Sequence, residues 1–378
     1  MQSGEMSAGL YIHVPFCAGK CSYCSFNSVP AEKNSPLIKG YFEALALEIG
    51  RSAAGEAASV YFGGGTPSFA GADLLSDTLL AVRKKCSVTP EAEITVEVNP
   101  GTAGKDFFRK MKDAGVNRIS LGMQSSDDAT LKYLGRLHTN SDTENCLSEA
   151  RAAGIENIGL DLIYGIPGQS LRDIETEAAK LLSLAPQHIS TYCLSIDEGT
   201  GMFRKREKGE LQELSGDLAA DMYYLLKDKL SVKYSHYELS NYSLPGRESR
   251  HNEIYWNYND YIGFGAGAAS KRGSRRMSNE SDPVKYMELI KRNDSAILFE
   301  ENLTEETQLK ETVFLGLRLL RGIDLAGWKT RFGKDFLFLF EKQFEKLAGL
   351  GLLEQKDGFI KLTREGLFLS NEVFVEFV

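Results

Sequence analysis

The stretch Tyr11–Phe26, YIHVPFCAGKCSYCSF, carries three cysteines, Cys17, Cys21 and Cys24, in the spacing C-x3-C-x2-C. They come directly after a short apolar run, residues 10–14, which predicts a strand. An iron–sulfur cubane is closed by four protein thiolates, so three thiolates in one tight loop can hold it and leave one iron open. The loop therefore predicts an iron–sulfur cluster with a coordination position for a small molecule.

Two other chemistries are open to three close cysteines. A zinc ion would need a fourth protein ligand if the site were structural, and His13 is the candidate for it. A disulfide is disfavoured because three thiols in one loop cannot all pair. The number of ligands favours the cluster over both alternatives.

Together with its flanking residues, the loop resembles the cluster loop of radical S-adenosylmethionine (SAM) proteins. Within that superfamily, YIHVPFC resembles the branch that holds the oxygen-independent coproporphyrinogen III oxidases (HemN) and the HemW haem chaperones. The resemblance covers nearly the whole chain. It implies that the amino and carboxylate groups of SAM chelate the open iron, and that the reduced cluster can cleave SAM to a 5′-deoxyadenosyl radical.

Composition limits the remaining function classes. The chain has 378 residues and a formal net charge of −8, which argues against a broad phosphate-binding surface and against a nucleic-acid partner. No apolar run approaches the roughly 20 residues that span a bilayer. The first ten residues lack a basic region followed by an apolar one, so no secretory signal is expected. These features predict a cytoplasmic protein, and Cys86, Cys146 and Cys193 are predicted to be buried free thiols.

Strand-like and helix-like runs alternate from Leu10 to about Ile196, a pattern typical of a parallel sheet built from βα units. Six such units are too few for an eight-stranded barrel. The sequence therefore predicts an α/β fold with a partial (β/α)6 TIM-like barrel of the radical SAM type, whose functional groups lie at the C-terminal ends of the strands. The predicted strands are Leu10–Val14, Ser59–Phe62, Glu93–Val98, Arg118–Gly122, Asn157–Tyr164 and His188–Ile196. The predicted helices lie near residues 36–51, 73–86, 104–114, 127–152 (interrupted near Thr139) and 170–184.

Glycine and polar residues follow these strands where functional groups should collect. The run Gly63–Pro67, GGGTP, follows the second strand, and its glycines allow backbone N–H groups to approach a ligand. Glu97 and Gln124 end the next two strands. A carboxylate and a guanidinium, here Glu97 and Arg136, suit a zwitterionic amino acid. Taken singly, each residue could be an ordinary cap or surface group. By resemblance, the predicted SAM-binding residues are Tyr11, Gly64, Gly65, Thr66, Glu97, Gln124, Arg136 and Asp161.

A second motif, HNEIYW at residues 251–256, matches the HNxxYW motif of the HemW proteins. Imidazole is a common ligand of haem iron, and flat aromatic side chains can line a porphyrin face. The alternative is a core segment whose histidine donates to a backbone carbonyl. The match of the whole motif favours haem binding, with His251, Tyr255 and Trp256 as the predicted haem residues.

The chain beyond Glu301 predicts a mainly helical, winged-helix-like domain. Thr304–Leu320 and Lys334–Leu347 have helical patterns, Asp357-Gly358 is a hairpin signal, and a last helix follows Thr363. The predicted recognition helix is acidic, so a packing or partner-binding role is favoured over DNA binding. The predicted divisions are residues 1–245 for the radical SAM core, 246–300 for a connecting segment with the HNxxYW motif, and 301–378 for the C-terminal domain.

Two functions fit the resemblance, a haem chaperone and an oxygen-independent coproporphyrinogen III oxidase that removes two propionate carboxylates. The oxidases carry a fourth cysteine two residues beyond the third, where this chain has Phe26, and a long arm before the cluster, where sixteen residues precede Cys17 here. The HNxxYW motif belongs to the chaperones. All three features favour a chaperone that delivers haem to apo-haemoproteins. Membrane-associated respiratory enzymes are the expected acceptors, and a peripheral membrane position and a homodimer are left open.

Overall fold

The computed structural model describes residues 8–52 and 55–378. Residues 1–7, on which the expectation of no secretory signal partly depends, lie outside the described residues. The first part of the chain alternates strands with helices. Its strands are β1 (Ala8–Val14), β2 (Phe16–Cys17), β3 (Val29–Pro30), β4 (Glu56–Gly64), β5 (Ser87–Val98), β6 (Arg118–Gln124), β7 (Asn157–Tyr164) and β8 (His188–Cys193). Its helices are α1 (Pro36–Arg51), α2 (Pro67–Ala70), α3 (Ala72–Lys85), α4 (Lys105–Asp113), α5 (Asp128–Leu134), α6 (Asn140–Ala152) and α7 (Leu171–Leu184).

Six of these strands pair in parallel in the order β1-β4-β5-β6-β7-β8, so the predicted partial (β/α)6 barrel is confirmed. The helix predicted over 127–152 is interrupted as expected, because Thr139 and Asp142 form a capping box that starts α6. The last barrel strand ends at Cys193, earlier than predicted, where its pairing with β7 ends.

Strands later in the chain extend the sheet at both edges. The elements that follow are α8 (Gly201–Glu207), α9 (Gly216–Leu230), β9 (Ser235–Glu238), β10 (Asn241–Ser243), α10 (Arg250–Trp256), β11 (Tyr261–Phe264), β12 (Ala269–Arg272), β13 (Arg275–Asn279), α11 (Pro283–Lys291) and β14 (Ile297–Asn302). The antiparallel pair β10 and β9 continues from β8. At the other edge β11 lies parallel to β1 and leads into β12, β13 and β14. Twelve strands of the described residues thus form one continuous sheet.

The helix α10, which carries the HNEIYW motif, closes the barrel at the N-terminal ends of its strands. His251 hydrogen-bonds to Ser59 of β4, and its backbone N–H donates to Glu93 of β5. Gly9 at the start of β1 leaves room for the helix, since a Cβ there would lie 3.0 Å from Ile254 Cδ1. The cluster loop and α10 therefore lie at opposite ends of the same barrel.

The two faces of the barrel strands differ in chemistry. Side chains alternate between the faces of a strand, and Ile119 and Leu121 of β6 are buried in the apolar core under the helices. Arg118 and Ser120 of the same strand instead line the interior. Closed eight-stranded barrels are filled by branched aliphatic side chains. The polar interior here encloses a cavity of about 420 Å³.

The C-terminal residues form three helices and a small antiparallel sheet, followed by two short helices, and the predicted winged-helix-like domain is confirmed. Its strands, β15 (Ile323–Asp324), β16 (Leu353–Lys356) and β17 (Phe359–Leu362), have the order β15-β17-β16, with a turn at Asp357-Gly358 where both residues have positive φ. The second predicted helix begins at Phe336 because Asp335 caps it. The predicted domain divisions stay predictions. The elements are α12 (Glu305–Gly316), β15 (Ile323–Asp324), α13 (Leu325–Phe332), α14 (Phe336–Gly349), β16 (Leu353–Lys356), β17 (Phe359–Leu362), α15 (Arg364–Phe368) and α16 (Ser370–Val375).

None of the helices formed by the described residues is both long and apolar enough to cross a bilayer.

Candidate functional site

The cavity runs along the barrel axis between the cluster loop and α10. Its upper part is lined by the three cysteines of the loop and by most of the residues predicted to bind SAM. Its floor is lined by side chains from the first residues of two strands and from α10. The predicted residues at the upper part are Cys17, Cys21, Cys24, Gly64, Gly65, Thr66, Glu97, Gln124, Arg136 and Asp161, and the floor residues are Arg118, His188, Ser249 and Asn252.

The cluster loop is fixed to two helices through Ser22. Its backbone N–H and hydroxyl donate to the carbonyl of Leu134, at 3.0 and 2.9 Å, and its carbonyl accepts from the N–H of Met202 at 2.7 Å. Gly135 ends α5 in the left-handed conformation, and a Cβ there would lie 3.2 Å from the Ser22 nitrogen. The glycine therefore allows the loop to pack against the end of α5.

The three cysteines are half-buried around the upper end of the cavity. The Cys17 sulfur lies 3.3 Å from the Thr66 hydroxyl, and Arg136 Nη1 lies 3.6 Å from the Cys21 sulfur. Burial raises the pKa of the Cys17 thiol, and the hydrogen bond with Thr66 opposes the shift. A hydroxyl and a guanidinium next to the sulfurs stabilise thiolates. This donor set fits a four-iron cluster, in which each thiolate binds a different iron.

A zinc ion fits the loop less well. His13, the candidate fourth ligand, has both ring nitrogens hydrogen-bonded, to the Tyr11 hydroxyl at 3.1 Å and to the Asn27 carbonyl at 2.9 Å. In the described part of the chain, no three His, Cys, Asp or Glu side chains converge on one metal position. A single ion needs all its ligand atoms within bonding distance of one point, whereas the thiolates of a four-iron cluster bind separate irons and can lie farther apart.

The glycine run and Glu97 form one wall of the cavity. Gly64 has φ 114°, and a Cβ there would lie 2.5 Å from the His13 ring. Its N–H donates to Glu97 Oε2 at 3.3 Å, and the Tyr61 hydroxyl donates to Oε1 at 2.8 Å. Burial raises the pKa of the Glu97 carboxyl to about 7, although the hydrogen bond from Tyr61 opposes the shift. A cationic ligand group beside Glu97 would favour its ionised form.

Arg136 connects the cluster loop with the strand ends. Its Nη2 donates to Asn99 Oδ1 at 2.8 Å and to the Gly122 carbonyl at 2.9 Å. Asn99 in turn donates to the Thr66 hydroxyl at 2.7 Å. The sequence reasoning missed Asn99, although it follows β5 directly and shares the strand-end position that singled out Glu97. Arg136 and Glu97 thus place both charges needed for a zwitterion at one end of the cavity.

Gln124 and Asp161 complete the predicted set that lines the cavity. Gln124 is held at φ 64°, a left-handed conformation that is strained for a residue with a side chain and is concentrated at functional sites. Asp161 accepts from the Ser120 hydroxyl at 3.3 Å, and burial raises the pKa of its carboxyl. The described residues that line the cavity do not include Tyr11, whose ring stacks on Tyr61 behind Gly63, 6.2 Å between centroids.

His251 is buried beneath this wall, with 1% of its surface exposed. Its Nδ1 lies 2.8 Å from the Ser59 hydroxyl, and its Nε2 lies 2.9 Å from the Tyr255 hydroxyl. Burial lowers the pKa of the ring to about 3. The imidazole stacks on Tyr61, 5.0 Å between centroids, and Tyr61 is the residue that donates to Glu97. His251 therefore supports the cavity wall from behind.

The structure does not bring the predicted haem residues to the cavity, and their haem roles stay predictions. Tyr255 is held by His251, and Trp256 lies half-buried under the guanidinium of Arg318, 4.3 Å from the ring centroid. Asn252 of the same motif does line the cavity.

Two of the three remaining cysteines are buried as predicted, Cys86 and Cys146. The prediction for Cys193 is wrong. Its side chain is exposed and lines the cavity, because β8 ends there and the chain turns away from the sheet.

Comparison with known proteins agrees with this geometry. Residues 11–181 match the model of the radical SAM superfamily, and residues 303–369 match that of the HemN C-terminal domain. The chain is similar to the heme chaperone HemW of Lactococcus lactis subsp. lactis, at 35% identity over 97% of this chain and 96% of that protein. It is also similar to the heme chaperone HemW of Bacillus subtilis, at 33% identity over 97% and 98% of the two chains.

The solved structure of coproporphyrinogen III oxidase (HemN) from Escherichia coli shares the fold, with a TM-score of 0.85 over 99% of this chain and 90% of that chain, at 21% identity. Three findings agree: the full-length likeness above 30% identity, the radical SAM core, and the cysteine loop at the mouth of its barrel. The chain belongs to the HemW family of the radical SAM superfamily.

Proposed function

We propose that this protein is a haem chaperone that holds a [4Fe–4S] cluster and SAM in its barrel and delivers haem to apo-haemoproteins. The observation that carries the proposal is the full-length likeness to relatives named as HemW haem chaperones. The acceptors would include membrane-associated respiratory enzymes. A peripheral position at the membrane during delivery and a homodimer are part of the same proposal.

Cluster and SAM are the cofactors that membership of the radical SAM superfamily implies. Cys17, Cys21 and Cys24 would hold the cluster, which when bound supplies the electron for reductive cleavage of SAM. Glu97 would accept a hydrogen bond from the amino group of SAM, and Arg136 would pair with its carboxylate. The glycine wall allows the ligand to approach the backbone closely. The half-buried position of the thiols excludes part of the solvent from this end of the cavity.

Haem would bind at the HNEIYW segment, with His251 on the iron and Tyr255 and Trp256 against the porphyrin. Both nitrogens of His251 are engaged in hydrogen bonds, so iron ligation requires either the bond to Ser59 or the bond to Tyr255 to break. Each such bond contributes about 0.5–1.5 kcal/mol net. Because His251 is 1% exposed, ligation also requires α10 to move away from the barrel, and the movement would release Tyr61, on which His251 stacks.

The experiment that tests the function adds haem and coproporphyrinogen III separately to the anaerobically reconstituted protein. A chaperone should give a Soret band with haem and pass the haem to an apo-haemoprotein, seen as loss of one Soret band and growth of another. His251→Ala should change the Soret maximum while the visible absorption of the cluster remains. A protein that binds no haem but decarboxylates coproporphyrinogen III with SAM would instead be the oxidase.

A further inference from the structure

The floor of the barrel contains hydrogen-bond donors that the rest of the protein leaves unpaired. Arg118 begins β6 and is 2% exposed. Its Nη1 donates to the Arg247 carbonyl at 3.2 Å and lies 3.9 Å from a Glu93 oxygen. Neither Nε nor Nη2 makes a hydrogen bond to any described residue, and Nε is fully buried. Nε and Nη2 form one edge of the guanidinium, the edge that binds a carboxylate with two parallel hydrogen bonds.

His188, at the start of β8, adds a third donor. The Ser249 N–H donates to the Tyr237 hydroxyl at 3.1 Å, and that hydroxyl lies 2.9 Å from His188 Nε2. The Tyr237 hydroxyl accepts the hydrogen bond from Ser249 and is free to donate its own proton. Among the described residues the acceptor within its reach is His188 Nε2, so we assign Nε2 as unprotonated. Burial lowers the pKa of the ring well below its ordinary value, which keeps it neutral. The ring proton then lies on Nδ1, which is buried and has no partner among the described residues.

The two side chains share one space, and Gly159 keeps it open. A Cβ built on Gly159 would lie 3.3 Å from His188 Nδ1 and 3.7 Å from Arg118 Nη2. Asn252 of α10 also lines this end of the cavity, and no described residue forms a hydrogen bond with its side-chain amide. Buried polar groups are paired in more than nine of ten cases, so the two buried unpaired donors around this space, Arg118 Nε and His188 Nδ1, indicate a ligand.

We infer that the barrel floor, built from Arg118, His188 and Asn252, binds the carboxylate of a small organic molecule. The guanidinium edge supplies two hydrogen bonds and His188 Nδ1 a third, and all of them are donors, which excludes a cation. Glu93 does not compete for this edge, because its oxygens face Nη1 and the backbone N–H groups of Arg250 and His251.

Most of the residues proposed to bind SAM lie at the other ends of the strands, and the nearest of them, Asp161, follows Gly159 by two residues on β7. Arg118 and Gln124 are the first and last residues of β6. At about 3.3 Å per residue they lie roughly 20 Å apart along the strand. The inference therefore does not depend on the proposed haem or SAM chemistry.

The test titrates acetate, with acetamide as its neutral isostere, into the reconstituted full-length protein in the absence of SAM. Acetate should bind with a Kd on the order of 1 mM, and acetamide at least tenfold more weakly. Gly159→Ala removes no hydrogen bond and should weaken acetate binding at least tenfold, because its methyl group enters the space between the donors. Gly50→Ala, in α1 with no atom within 4 Å of the added methyl group, is the matched control and should change nothing.

A second variant protects the test against misfolding. Arg118→Met combined with Glu93→Gln removes both charges of the buried pair together, since removal of one partner alone leaves an uncompensated charge. This double variant should bind no acetate and should still bind SAM. Acetamide binding as well as acetate, an unchanged Kd in Gly159→Ala, or inorganic phosphate binding tenfold more tightly than acetate would each overturn the carboxylate site. If the wild-type protein binds acetate as expected but binds no SAM or no haem, only the proposed function is contradicted.

Discussion

The two ends of the barrel cavity contain similar polar chemistry but are built in different ways. At the cluster end, the functional groups come from the C-terminal halves of the strands and from the segments that follow them, and the three thiols are accessible from the cavity. At the floor, they come from the first residues of β6 and β8 and from α10, and His251 of α10 is buried and fully hydrogen-bonded. The first end is arranged to receive a cofactor without rearrangement. The second must open before His251 can bind anything.

The two ends are also connected. His251 stacks on Tyr61, and the Tyr61 hydroxyl donates to Glu97. A movement of α10 can therefore alter the wall of the proposed SAM site through Tyr61. Energetic coupling between sites is reciprocal, so SAM would in turn affect α10.

The largest effect should come from the cluster loop. Cys21→Ala removes one of three thiolates, and the iron and sulfide bound after anaerobic reconstitution should fall to background. Cys86→Ala and Cys146→Ala, which remove buried thiols far from the cavity, are the matched controls and should reconstitute normally. Full cluster loading in Cys21→Ala would contradict the assignment of the three-cysteine loop as the cluster site.

The next largest effect should come from Glu97. A hydrogen bond to a charged group contributes about 1.5–3 kcal/mol, so Glu97→Gln should weaken SAM binding roughly ten- to a hundredfold by calorimetric titration. Because the pKa of Glu97 is raised to about 7, wild-type affinity for SAM should increase as the pH rises from 6 to 8. Glu144→Gln, an exposed carboxylate, is the control. Equal affinity in Glu97→Gln and wild type would place SAM elsewhere.

The same carboxyl predicts a change in stability with pH. Its pKa is raised from 4.5 in the unfolded chain to about 7 in the folded one, so its contribution is fully present below pH 4.5 and is lost as the pH rises through 7. Glu97→Gln removes this dependence. The free energy of unfolding of the variant, relative to wild type, should be higher at pH 8 than at pH 5, as measured by denaturant titration. A constant difference between the two pH values would show that Glu97 titrates normally.

The cluster end could be predicted from the sequence because its signals are local. The spacing of three cysteines and the residues at strand ends are visible within short windows, and the parallel sheet then brings them together. Arg118 and His188 were missed because they stand at strand starts, where the same rule assigns stability rather than function. The position of α10 was also missed, since the contact between Ser59 and His251 joins residues 192 positions apart. No local pattern reports such a contact.

A smaller effect tests the connection between the ends. If haem ligation by His251 draws α10 away from Tyr61, haem should weaken SAM binding about tenfold, within the 1–3 kcal/mol typical of coupled sites. Tyr61→Phe removes the hydroxyl that donates to Glu97 and keeps the stacked ring. SAM titrations with and without haem should show antagonism in wild type and little in this variant. Antagonism that persists in Tyr61→Phe would require another route between the two ends.

The smallest effect concerns Trp256, which the proposal places against the porphyrin. Aromatic contact contributes about 0.5–1.5 kcal/mol beyond area burial, so Trp256→Leu should weaken haem binding roughly two- to tenfold. The Soret maximum should stay in place, because the ligand of the iron is unchanged.

Arg318 lies over the indole ring, and its loss from that contact is a second consequence of the substitution. Arg318→Met, made together with Glu238→Gln because Arg318 pairs with the buried Glu238 carboxylate, separates the two causes: it removes the cation and keeps the indole. If this double variant weakens haem binding as much as Trp256→Leu, the indole acts through Arg318 and does not contact the porphyrin. If only Trp256→Leu weakens it, α10 exposes its aromatic face to haem when it leaves the barrel floor, and the two ends differ as proposed: the cluster end is preformed, and His251 binds haem only after α10 has moved.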